Sequence, residues 1–126
     1  MKINIQILSL FFVLFGLSQT HSMAQARAGT YQILTLGTAG SHAQDPGSKG
    51  TMLVDSRGRI SGSVLSYSDG SSASFTGSVN LTTGVGTINE GGNILNIRVT
   101  TSTRTWANIS YTKRNSTSRG IVWGVR

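Results

Sequence analysis

The 126-residue chain has no cysteine, one proline and sixteen glycines, and sets eleven Lys/Arg against four Asp/Glu for a formal net charge of +7. With no thiol, disulfides cannot stabilise the fold, which must rest on sheet hydrogen bonding and an apolar interior. So few acids leave little material for a carboxylate-rich metal or catalytic centre, and the basic balance directs attention to anionic partners.

Residues 1–26 read as an export signal. Lys2 supplies a short positive start, Ile3 to Leu17 is mostly apolar, and Ala24-Gln25-Ala26 is a small-x-small exit that permits cleavage after Ala24 or after Ala26. The apolar run is shorter than the roughly 20 residues a helical membrane span requires. Residues 27–126 then form one small domain, destined for the periplasm, the cell surface or the medium. Losing Lys2 with the leader lowers the net charge from +7 to +6.

The rest of the chain lacks helical periodicity and is punctuated by Gly, Ser and Thr, the signature of short antiparallel strands. A first strand spans about Thr30 to Leu36, with Tyr31 and Ile33 on one face and Leu34 and Leu36 on the other, so its inward face is open. Gly37 to Gly50 follows as a polar, mobile loop containing Pro46. Thr51 to Asp55 and Arg59 to Tyr67 flank Ser56-Arg57-Gly58, a three-residue hairpin loop with Gly in the left-handed position. That loop pairs Met52 with Gly62, Val54 with Ile60, and Asp55 with Arg59 on the wet face.

Asp69-Gly70 is a two-residue turn signal, and used as one it pairs Val64 with Phe75, Gly62 with Gly77 and Ile60 with Val79. The fourth strand, Ser72 to Leu81, alternates cleanly, with Ala73, Phe75, Gly77, Val79 and Leu81 inward. Val85 to Glu90 and Asn93 to Thr101 are joined by Gly91-Gly92, pairing Ile88 with Leu95 and Gly86 with Ile97. Thr105 to Lys113 buries Ala107, Ile109 and Tyr111 and leaves Trp106 outside or at the rim. Gly120 to Val125 is expected to bury Ile121, Trp123 and Val125.

These elements define an all-β fold of about eight antiparallel strands in up-and-down meander order. A small closed barrel is preferred because closure removes both raw edges, with a two-sheet β-sandwich as the alternative. An eight-stranded barrel has an interior that side chains can just fill or that holds one small ligand. The many medium and large inward side chains favour the filled interior.

Catalytic chemistry is poorly supplied, and the chain reads as non-enzymatic. Beyond the leader the one histidine is His42, in the Gly-rich loop, and Asp55, Asp69 and Glu90 stand at turns, where hairpins want polar residues. His42 and Asp45 are two ligands where a zinc site needs three or four, so no metal and no cofactor is expected. Gly84-Val85-Gly86 lacks the helix that a phosphate cradle requires. Asn80, Asn108 and Asn115 each open an N-x-[ST] triplet, as chance provides in a Ser/Thr-rich chain.

Gly29-Thr30-Tyr31, followed by residues 50–64 (GTMLVDSRGRISGSV), resembles the opening hairpin of avidin-type biotin-binding barrels. The resemblance implies an eight-stranded meander barrel. That family's first-strand Trp is Tyr31 here, only Trp106 and Trp123 represent its Trp-rich wall, and no biotin-site residue carries over.

Beyond Glu90 there is no acid, whereas Arg98, Arg104, Lys113, Arg114, Arg119 and Arg126 all follow. Arg98, Arg104, Trp106, Lys113, Arg114 and Arg119 are therefore the candidate contact residues for an anionic partner: an acidic polysaccharide, lipopolysaccharide or extracellular nucleic acid. The expected role is structural or interaction-based, and the alternative is a small-ligand barrel of lipocalin or avidin type.

Overall fold

A computed structural model describes residues 26–40 and 47–126. Eight strands follow in chain order: β1 Gly29–Ala39, β2 Ser48–Val54, β3 Arg59–Ser66, β4 Ser72–Val79, β5 Val85–Glu90, β6 Asn93–Ser102, β7 Trp106–Lys113 and β8 Arg119–Val125. Each pairs antiparallel with the next, and β8 returns to β1, so the sheet is a closed meander barrel rather than a sandwich. β1 and β2 extend into the stretch expected to be loop; His42, Asp45 and Pro46 lie outside the described residues.

The hairpins that rest on local turn chemistry have the expected register. Met52 faces Gly62 and Val54 faces Ile60; Gly58 takes the left-handed backbone (φ 83°) and donates its N–H to the Asp55 carbonyl at 3.0 Å. Asp55 holds this turn differently from the expected ion pair with Arg59. Its Oδ1 accepts the N–H groups of Arg57 (2.8 Å) and Arg59 (2.9 Å). The Arg59 backbone bond is the leading influence that holds the Asp55 carboxyl below its ordinary value. Across Gly91-Gly92, Ile88 faces Leu95 and Gly86 faces Ile97, as expected.

The β3–β4 hairpin departs from expectation by two residues. Gly62 faces Phe75 and Ile60 faces Gly77, so the two glycines are not partners. The connection is a four-residue loop, Tyr67 to Gly70, closed by a bond from Ser66 N–H to the Ser71 carbonyl at 2.8 Å. A two-residue type I′ turn needs positive φ at both positions, and here only Gly70 has it (φ 71°). Asp69 instead turns its carboxylate onto Ser71, accepting from its N–H (2.9 Å) and its hydroxyl (2.7 Å). Because side chains alternate with period two, the slip leaves Phe75 and Val79 inside. What changes is the neighbour: the Phe75 ring lies over Gly62, where a Cβ would stand 2.6 Å from Phe75 Cζ.

The core runs through the barrel interior and includes Tyr31, Ile33, Met52, Val54, Ile60, Phe75, Ile97, Ile109 and Tyr111. This settles the face of β1: Tyr31 and Ile33 go in, while Leu34 and Leu36 stay on the outer wall. β8 has the opposite parity to the one expected. Gly120, Val122 and Gly124 point inward, and Ile121, Trp123 and Val125 are exposed. Two tyrosine rings approach this strand closely: a Cβ on Gly120 would fall 2.5 Å from Tyr111 Oη, and one on Gly124 would fall 3.2 Å from Tyr31 Cδ1.

Among the described residues no helix is long and apolar enough to cross a membrane. The strands themselves have an apolar inside, and β3 to β6 carry Ser61, Ser63, Ser74, Thr76, Asn89, Asn96 and Arg98 outward. A lipid-facing barrel requires the reverse arrangement.

Gly62→Ala should lower stability by about 2–3 kcal/mol, because the new methyl meets both the Phe75 ring and the Thr51 carbonyl and neither can withdraw without shifting a strand. Urea unfolding followed by circular dichroism measures this; an unchanged midpoint contradicts the packing described.

Candidate functional site

A meander barrel gathers alternate connections at each end. At the end where β1, β3, β5 and β7 finish, a cavity of about 270 Å3 lies between the strands. Its walls are apolar: Ile33, Met52, Phe75, Ile97, Ile109 and Tyr111 among others. Its rim is polar, with Thr35, Ser48, Ser66, Ser71, Glu90, Asn93 and Lys113. Thr35 Oγ1 and Ser48 Oγ share a hydrogen bond across β1 and β2. The opposite end is closed. Tyr31 is 2% exposed and donates its hydroxyl to the Arg27 carbonyl at 2.7 Å, and Val54, Ile60, Val99 and Ala107 leave a void of only 20 Å3 there.

The interior is less full than the apolar count suggests, since Ile121, Trp123 and Val125 stand outside and Val122 is the β8 residue that lines the cavity. The Asn93–Lys113 side of the mouth follows from strand parity: Lys113 is the last residue of β7 on the same face as Ile109 and Tyr111, and it faces Leu95 of β6. Glu90 ends β5 on the face of Ile88 in the same way. The other candidate residues fall elsewhere.

Arg98, Arg114 and Arg119 share the outer wall of β6 to β8. Asn96 faces Thr112, Thr112 faces Arg119, and Arg98 faces Ser110, so three guanidinium groups surround a hydroxyl- and amide-bearing surface. Arg114 is anchored there by a bond from Nη2 to Asn96 Oδ1 at 3.1 Å. Beside them a shallow polar depression crosses the outer face of β4 to β7, lined by Ser78, Thr87, Asn96, Arg98, Ser110 and Thr112. Arg104 and Trp106 lie at the closed end instead. Trp106 is four residues along β7 from Ser110, the partner of Arg98, which separates them by roughly 13 Å at about 3.3 Å per residue. Arg98 therefore does not join Arg104 and Trp106 in one stacking patch.

Part of the rim was legible as a pattern, although reasoning from charge alone misses all but Lys113. The inward parity of β3, β5, β6 and β7 followed towards the mouth gives Ser66, Glu90, Asn93 and Lys113, whereas Thr35 and Ser48 lie on a strand of undecided face and in a stretch expected to be loop. Chemically, the mouth offers hydroxyls, an amide, an acid and an amine above apolar walls, which suits a small molecule with an apolar body and a polar end. Among the described residues no cluster of three or more His, Cys, Asp or Glu is placed to hold a metal ion.

The geometry defines a closed eight-stranded meander barrel with an open mouth. Compared with known proteins, the chain matches no family model and no curated protein. A solved structure described as a redesigned β-barrel is similar to it, with a TM-score of 0.58 and 19% sequence identity, covering 83% of this chain and 97% of that one. At that identity the likeness is one of fold.

Proposed function

We propose that this protein is an exported, non-catalytic barrel that holds a small, mainly apolar ligand in its interior, with the ligand's polar end at the mouth. The observation that carries this reading is the 270 Å3 cavity with apolar walls and a polar rim. Its volume lies just below the usual range for drug-sized ligands, so the ligand is compact, of roughly ten to fifteen non-hydrogen atoms. Eight-stranded barrels are the size at which an interior either fills or admits one such molecule.

A second reading, binding of an acidic polysaccharide, lipopolysaccharide or extracellular nucleic acid, is favoured by the three arginines on the β6–β8 wall. The two readings use different surfaces and are compatible.

Export implies a leader, and the closed end of the barrel favours removal after Ala24. Ala26 packs against the core and donates its N–H to the Leu81 carbonyl at 3.1 Å, contacts that cleavage after Ala26 would remove. N-terminal sequencing of the secreted protein should therefore begin at Gln25; a start at Arg27 rejects that assignment.

For the interior, titration with 2-naphthol followed by its fluorescence should saturate at one molecule per chain. Val64→Phe, which fills the cavity from β3, should weaken it by about tenfold or more with circular dichroism unchanged. Unsaturable binding, or equal binding by the variant, rejects the reading. For the arginine wall, the wild type should elute from heparin at higher salt than Arg98→Gln/Arg114→Gln, while Arg104→Gln should elute with the wild type. A shift from Arg104→Gln about half that of the double variant, in proportion to the charge removed, would show net charge alone at work.

A further inference from the structure

We propose that the outer wall of β8, β1 and β2 is an interface that takes a second copy of this chain. The wall departs from the rest of the barrel surface. In register across β8 and β1, Trp123 faces Leu34 and Ile121 faces Leu36, all pointing outward. Val125 and Trp106 extend the apolar surface onto β7, and Leu65 extends it onto β3 beyond Lys49. Trp123 and Leu34 are each 45% exposed.

Together these side chains leave on the order of 600 Å2 of apolar surface open, at the upper limit of the largest patch a monomer usually shows. With the polar residues Gln32, Thr51 and Asn108 around it, the wall approaches the roughly 800 Å2 per partner of a standard protein interface. A shallow groove runs through it, bounded by Leu34, Leu65, Trp123 and Val125.

The area available, close to one partner's share of a standard interface, fits a second copy meeting it about a two-fold axis. Lys49 stands in register between Leu34 and Leu65, and Arg119 opens β8 at the mouth end of the same face. The aliphatic stem of Lys49 can cover leucine while the ammonium reaches the rim. The pairing leaves both cavity mouths open, because they lie at the barrel ends.

Sedimentation equilibrium of the purified protein from ~1 to ~100 µM tests the proposal, with a dimer dissociation constant expected in the micromolar range or below. Tryptophan emission should shift to the blue as concentration rises. Trp123→Ser and Leu34→Ser, both outside the core, should each weaken the dimer by about tenfold or more while circular dichroism and 2-naphthol binding stay unchanged. A wild type that stays monomeric throughout overturns the proposal. So does an oligomer indifferent to both substitutions, or a monomer whose Trp123-dependent binding is to neutral lipid vesicles or neutral polysaccharide.

Discussion

Closure of the sheet through the β1–β8 ladder is the constraint on which the rest depends. Seven residues of β1, from Gln32 to Ala39, pair with β8 from Val125 to Arg119. Without that ladder two strands would present unpaired N–H and C=O groups; the chain has no cysteine, and among the described residues there is no covering helix to protect them. Closure also curves every strand, and curvature decides where side chains can stand. On the concave side Cβ positions converge, so the sheet needs inward glycines where a large ring arrives from a neighbouring strand.

Ring against glycine is the packing rule of the interior. Phe75 covers Gly62, Tyr111 covers Gly120, and Tyr31 lies against Gly124. Two of these three contacts involve β8, whose bulky residues stand outward, with Trp123 and Ile121 beside Leu34 and Leu36. To the cavity lining β8 contributes Val122.

The barrel thereby acquires three chemically different zones from one small sheet. The mouth combines hydroxyls with Glu90 and Lys113 above an apolar interior. The β6–β8 wall sets Arg98, Arg114 and Arg119 among Asn, Ser and Thr side chains. The β8–β1–β2 wall is apolar. A sheet can separate functions in this way because its two faces and its ends are independent positions in the sequence, each substitutable without moving the backbone ladder.

The sequence by itself determined the number of strands, their meander order and the hairpins whose turns carry their own signal. Gly58 and Gly91-Gly92 set register locally, and strict alternation in β4 and β7 named inward residues that are indeed buried. Ser66, Glu90, Asn93 and Lys113 of the polar rim were also written in strand alternation, and Thr35 and Ser48 were not. Tertiary structure alone decided the faces of β1 and β8, because both strands carry apolar residues at odd and even positions, and periodicity gives no preference when both faces are apolar. In the folded barrel the Tyr31 and Tyr111 rings come in beside Gly124 and Gly120, with Ile121, Trp123 and Val125 on the outer face. The partition of the basic residues was legible only in part. Lys113 shares the inward face of Ile109 and Tyr111, whereas Arg114, in the turn beyond β7, reaches Asn96 on the outer wall.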